Sequence, residues 1–136
     1  MPTVLYEKRY PIAYVTLNRP ETLNAINTEM NQELEHTWYD FDADPGLWIA
    51  ILTATGDKAF SSGADLRALG TGNRDSISSR PVRGLGRGID IYKPIICGIQ
   101  GQCLAGGLDL ALACDIRVAS EEAVLGMTST RWGVPA

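Results

Sequence analysis

A chain of 136 residues has the length of one domain, and 45% hydrophobic with 21% charged residues is the balance of a globular protein that buries a core. A formal net charge of −4 argues against nucleic acid as a partner. No run reaches the ~18 apolar residues that span a bilayer, and Glu7, Lys8 and Arg9 stand where a signal peptide would be apolar, so a cytoplasmic protein with no membrane partner is expected.

Val4 to Tyr10 and Ile12 to Asn18 read as two strands interrupted at Pro11. In the second, Ala13, Val15 and Leu17 alternate with Ile12, Tyr14 and Thr16, which predicts cover on both faces. Asn18 to Glu21 reads as a turn. Asn27 or Thr28 can cap a helix whose Met30, Leu34, Trp38 and Phe41 form one apolar stripe, and His36 falls off that stripe onto the surface. Asp44-Pro45-Gly46 ends this helix. Trp48 to Thr53 is the continuous apolar run of a central parallel strand. Gly56 to Gly63 reads as a loop, and Asp65 to Leu69 as the start of a short helix. Gly70 to Pro81 is polar and rich in Gly and Ser, the composition of a mobile segment. Arg83 to Tyr92 is assigned to a helix although Gly84, Gly86 and Gly88 disfavour one. Ile95 to Ile99 is a buried strand and Gly106 to Ala113 a helix, followed by short strands at Ile116 to Ser120 and Ala123 to Gly126. The order β-β-α-β-α-β-α-β-β predicts a single α/β domain over residues 1–136.

Two segments carry chemistry. Gly101 to Asp115 passes from a strand through a tight run of small residues into a helix, with Asp109 one turn inside. A helix start offers unpartnered N–H groups and the positive end of the macrodipole, so an oxyanion can sit there beside a carboxylate that moves a proton. Lys58 to Arg67 repeats the pattern: strand, small residues, helix start. If the two turns converge, each supplies one N–H, the pair needed to hold a carbonyl oxygen that becomes an enolate. Small residues let a ligand approach the backbone.

Taken together, Leu17-Asn18-Arg19-Pro20 with Leu23-Asn24-Ala25-Ile26, Phe60 to Leu66, Ala105 to Ala111 and Cys114 to Ala119 resemble the crotonase superfamily, whose members include enoyl-CoA hydratases and isomerases. The resemblance covers nearly the whole chain and corresponds to the N-terminal half of the family. It implies a crotonase-like spiral of ββα units and an acyl-CoA thioester as substrate. Coenzyme A enters as part of that substrate, with no metal or redox cofactor. It implies an oxyanion hole from the N–H groups of Ala64 and Gly106. It places Ala64, Asp65, Leu66 and Arg67 along the CoA, and the turn containing Ala25 near the nucleotide and pantetheine.

The resemblance also exposes departures. Hydratases of this family use two glutamates. The first falls here on Asp109, one methylene or about 1.5 Å shorter. The second falls near Ser129, and no Asp or Glu occurs from Ala123 to Ala136. Asp109 is thus the sole candidate acid–base group, suited to one-carboxylate proton transfer through an enolate. Family members are commonly about twice this length, with a helical C-terminal region that completes the pocket and a trimer. Apolar surface that such a region covers would drive self-association, so a homo-oligomer is expected. The alternative is a catalytically impaired domain that binds CoA or another protein.

Other groups read as structural. Ser61 and Ser62 lie in no Gly-x-Ser-x-Gly elbow and no His is suggestively placed, which argues against a serine hydrolase. Cys97, Cys103 and Cys114 follow no metal or redox spacing and read as buried thiols. Asp65 reads as a helix-start residue and Asp115 as a partner for loop backbone. Lys8, Arg9, Arg67, Arg74, Arg80, Arg83 and Arg87 are each eligible to meet a CoA phosphate, and the sequence does not choose among them.

Overall fold

The computed structural model describes residues 1–69, 84–85 and 87–132. The predicted Gly70–Pro81 segment, Gly86 and residues 133–136 lie outside them.

The chain builds two sheets in alternation. Strands β1 (Val4–Arg9) and β2 (Ile12–Leu17) form an antiparallel hairpin. Helix α1 (Thr28–Ala43) follows, with the Asn27 side chain accepting the Met30 N–H at 2.9 Å as its N-cap. Its stripe of Met30, Leu34, Trp38 and Phe41 is buried as predicted, joined by Thr37. Removing a side chain such as Trp38, fully buried here, costs about 3–5 kcal/mol. At the other end Lys93 Nζ donates to the Phe41 and Asp44 carbonyls, both at 2.7 Å, neutralising the negative end of the helix. His36 is exposed on α1.

Two ββα units then repeat one path. The first runs β3 (Ile49–Ala54), β4 (Ala59–Ser61), α2 (Leu66–Leu69). After β5 (Gly84–Leu85) and β6 (Gly88–Ile89), the second runs β7 (Ile95–Ile99), β8 (Gln102–Leu104), α3 (Gly106–Leu112). Strands β9 (Ile116–Ala119) and β10 (Val124–Gly126) begin a third turn, and residues Ser129–Trp132 make a 3-10 turn. In each unit the first strand joins a five-stranded sheet, β1-β2-β3-β7-β9, and the second joins a three-stranded sheet, β10-β8-β4. From β2 onward all neighbours in the large sheet are parallel, as are both pairs of the small one. The step from sheet to sheet is the spiral, and the helices start where the small-sheet strands end.

Four readings need correction. The segment read as a loop, Gly56 to Gly63, contains β4, and the turn after Gly101 contains β8. Both strands are only three residues long, too short to show a period. The helix assigned to Arg83–Tyr92 is absent over its described residues: Gly84–Leu85 and Gly88–Ile89 pair as parallel strands. Glycine disfavours a helix and tolerates this tight connection, where Gly88 has φ +89°. Strand β2 is fully covered on one face only, because Ile12, Tyr14 and Thr16 stay half-exposed. No described helix is long and apolar enough to cross a membrane.

Candidate active site

The first turn is built on β4. Gly63 has φ +97°, and its N–H donates to Ser61 Oγ at 3.2 Å. The Ser61 hydroxyl, fully buried, donates in turn to the Asn24 carbonyl at 2.9 Å. Backbone bonds stitch this turn to the Leu23–Ile26 segment: Ser62 N–H to Leu23 O (3.0 Å), Ile26 N–H to Gly63 O (2.8 Å) and Asp65 N–H to Ile26 O (2.9 Å). Asn24 locks that segment from inside. Its Nδ2 donates to the Thr55 and Ala59 carbonyls at 3.0 and 2.9 Å, and its Oδ1 accepts the Arg19 N–H at 2.8 Å. Arg19 Nη1 donates to the Ala25 carbonyl at 2.6 Å and pairs with Asp65 at 3.1 Å.

The second turn joins β8 to α3. Ala105 takes φ +48° and ψ −120°, a conformation that costs a non-glycine residue about 1–3 kcal/mol. It is held by its N–H to Gly126 O at 2.9 Å and by its carbonyl, which accepts the Asp109 N–H at 3.0 Å.

The two turns abut. A Cβ on Gly63 would stand 2.9 Å from Ala105 Cβ and 3.0 Å from Gly106 N, and a Cβ on Gly106 would stand 3.5 Å from Ala64 N. Cβ and N of one residue are about 2.5 Å apart, so the Ala64 and Gly106 nitrogens lie within about 6 Å of each other. An oxygen bonded to both at about 3 Å fits any separation up to that limit. Among the described residues, neither N–H donates to another protein group. Gly107 sets the close approach: a Cβ there would meet Ser61 O at 2.5 Å.

Asp109 stands on α3 opposite the buried Gly107 and Ala111. It is half-exposed, and its carboxylate has no hydrogen-bond partner among the described residues.

A profile of the enoyl-CoA hydratase/isomerase family matches residues 7–136. The chain belongs to the enoyl-CoA hydratase/isomerase family. Within that family it is 36% identical to the (E)-benzylidenesuccinyl-CoA hydratase of Thauera aromatica, over 96% of this chain and 52% of that protein. It is 39% identical to the mevalonyl-coenzyme A hydratase of Aspergillus fumigatus, over 92% of this chain and 47% of the relative. The structure of an enoyl-CoA hydratase/carnithine racemase from Magnetospirillum magneticum superposes with a TM-score of 0.90 at 31% identity, covering 100% of this chain and 53% of that one. The fold is therefore crotonase-like, and the chain spans about half the length of the curated relatives it matches.

In this enoyl-CoA hydratase/isomerase family member the remaining sequence candidates separate. Asp65 caps α2, accepting the Arg67 N–H at 3.2 Å while paired with Arg19. Leu66 and Arg67 are exposed, and Ala25 is buried with its carbonyl accepting from Arg19. Lys8 is bound to Asp40 and Asp44, and Arg9 to Glu7. Arg74, Arg80 and Arg83 lie outside the described residues; Arg87 is exposed. Asp115 accepts the Ile95 N–H at 2.8 Å, so it ties the start of β7 and not the loop backbone expected of it. Ser61 has no exposure for nucleophilic attack. Cys103 is fully buried, and burial pushes its thiol up to about 11, which keeps it protonated and inert. Among the described residues no group of three or more His, Cys, Asp and Glu gathers to hold a metal.

Sequence reasoning missed Arg19, Asn24 and Ser61 as organisers of the first turn. The signal was Asn24 itself, a polar residue inside the apolar stretch Leu23 to Ile26.

Proposed function

We propose that the chain acts on an acyl-CoA thioester through an enolate, with the Ala64 and Gly106 N–H groups holding the thioester oxygen and Asp109 moving the proton at the α-carbon. The observation that supports this most is the abutment of two turns with N–H groups that have no protein acceptor among the described residues. As the α-proton leaves, charge moves onto the thioester oxygen, and two fixed donors stabilise it more than they stabilise the neutral carbonyl. Each such donor is worth about 10²–10³ in rate. Asp109 can take a proton from the α-carbon and return it to the γ-carbon, which isomerises an enoyl chain. It can also take a proton from water as the oxygen adds at the β-carbon and pass that proton to the α-carbon. Ala25, Asp65, Leu66 and Arg67 border the same turn and are the proposed CoA-binding positions. The same reading places the protein in the cytoplasm, in keeping with three free buried cysteines.

The test is turnover of crotonyl-CoA and of longer enoyl-CoA isomers by the wild type and Asp109→Asn. Wild-type turnover should fall at least about 10²-fold in the variant, with the calorimetric affinity for the thioester unchanged. A variant that keeps its turnover would sink the role of Asp109.

A second reading is a CoA-binding or protein-interaction domain impaired in catalysis. It is favoured by the lack of any carboxylate from Ala123 to Ala136. Thioester binding without turnover of any acyl-CoA tested selects it.

A further inference from the structure

Arg19 stands on a fixed base. Its N–H donates to Asn24 Oδ1 at 2.8 Å, and its carbonyl accepts the Thr22 and Asn24 N–H groups at 3.0 and 2.9 Å. From there its side chain reaches two segments at once. One guanidinium nitrogen, Nη1, donates to the Ala25 carbonyl at 2.6 Å and to Asp65 Oδ2 at 3.1 Å. The two side chains of this ion pair are only 16% and 14% exposed, so water and salt screen it little. Between Ala25 and Asp65 lies a single parallel bridge, Ile26 to Ala64. Its two bonds, Ile26 N–H to Gly63 O and Asp65 N–H to Ile26 O, use backbone groups on either side of Ala64. Backbone groups in a parallel ladder alternate in direction, so the N–H of Ala64 itself points away from Ile26. A Cβ built on Gly106 would touch that nitrogen at 3.5 Å.

We propose that Arg19 is a positioning residue for the Ala64 donor: a charged clamp that holds the Ile26–Ala64 bridge closed and so fixes where the Ala64 N–H points. Its catalytic consequence rests on the acyl-CoA reading above. A clamp is needed because the approach to the bridge is strained. Leu23 and Asn24, at φ +55° and +53°, are successive left-handed residues without the freedom of glycine. Such a segment relaxes unless its surroundings hold it, and relaxation here moves Ala25 and Ile26. Arg19 opposes that from both sides of the bridge, since Ala25 precedes Ile26 and Asp65 follows Ala64. Both of its bonds are charge-assisted, the stronger kind. Asp65 Oδ1 also accepts the Arg67 N–H, so the clamp extends into the first turn of α2. A lysine brings the charge as a point on a flexible stem and lacks the planar fork. An oxyanion donor works best when it is fixed before charge develops, because it then costs no reorganisation during the reaction. Arg19 acts on the reaction only through Ala64.

Amide hydrogen exchange, read residue by residue by NMR, tests the clamp with no ligand present. The Ile26 and Asp65 amides should be protected in the wild type. Arg19→Met should speed both at least about 10-fold, and by a larger factor than the amides paired between β2 and β3. The milder Arg19→Lys should recover part of that protection. Asp65→Asn keeps an acceptor for the Arg67 N–H and removes the charge that Arg19 meets, so it should loosen the same two amides less than Arg19→Met does. Turnover of crotonyl-CoA is the second measurement. In Arg19→Met, kcat should fall at least about 10-fold, with a smaller change in KM. A wild type that turns over no thioester defeats the acyl-CoA reading, and the exchange rates still decide the clamp. Unchanged exchange at Ile26 and Asp65 in Arg19→Met overturns the proposal. So does equal acceleration of every amide, which makes Arg19 a general stabiliser. Full kcat with those two amides loosened also overturns it, because the clamp is then unconnected to the donor.

Discussion

Gly107→Ala sets two effects of one methyl group against each other. In an exposed helix the change stabilises by about 1 kcal/mol, through higher helix propensity and a less free unfolded chain. At Gly107 the new carbon would stand 2.5 Å from Ser61 O, 2.7 Å from Ser61 Cβ and 3.0 Å from Ser61 C. Carbon contacts settle near about 3.5 Å, so α3 must retreat from β4 by about 1 Å. Ser61 cannot yield instead, because it is fully buried and its hydroxyl is held by Asn24 and Gly63. Contacts this short to a fixed backbone put the overpacking cost in the upper part of its usual range, about 2–3 kcal/mol, which leaves a net destabilisation of about 1–2 kcal/mol, opposite in sign to the propensity effect. Urea unfolding should show a lower midpoint with an unchanged slope. The retreat also carries Gly106 away from Ala64, and a displacement of about 1 Å costs about 10² in turnover. A variant as stable as its parent would refute the close packing of α3 on β4. A destabilised variant with full turnover would refute the link between that packing and the paired donors.

Asn24→Ala should lower stability by about 2–4 kcal/mol in urea unfolding, because it strips partners from the Thr55 and Ala59 carbonyls and the Arg19 N–H. Asn24→Gly suits φ +53° better yet restores none of those bonds, so it should be nearly as unstable. The pH dependence resides at the end of α1. Lys8 holds the Asp40 and Asp44 carboxyls below the ordinary value of 3.8, assisted by the Tyr6 hydroxyl at Asp40 and by the Gly46 N–H and Tyr10 hydroxyl at Asp44. Their stabilisation is complete above that value and is lost as pH falls through the lowered ones, so the urea midpoint should drop below about pH 4. In Lys8→Met, and at high salt, that acid-side drop should be shallower.

The parts of the fold visible in the sequence are those with local cause. The Asn27 cap and the stripe from Met30 to Phe41 fix α1, and the apolar run before Thr53 announces a strand with neighbours on both sides. Strands β4 and β8 were invisible because three residues carry no period, and only their pairing partners, 40 or more positions away for Ala59 and Gln102, define them. At the site, the helix starts were legible from small residues and an acidic first turn. Their abutment was not. It depends on Gly63 meeting Ala105 and Gly107 meeting Ser61, contacts that follow from the spiral and not from neighbouring letters. The repeat of one motif in two places, read with the family resemblance, was the only clue that they meet.

The bond from the Ala105 N–H to Gly126 O gives the outermost strand of the small sheet a second role. Without it, a non-glycine residue at φ +48° would relax and turn the start of α3. Strand β10 therefore acts as a splint. A ligand reaching Gly106 meets a backbone already set, with little ordering left to do on arrival. Anything that shifts the strand by a few tenths of an ångström is felt at that N–H through one short hydrogen bond.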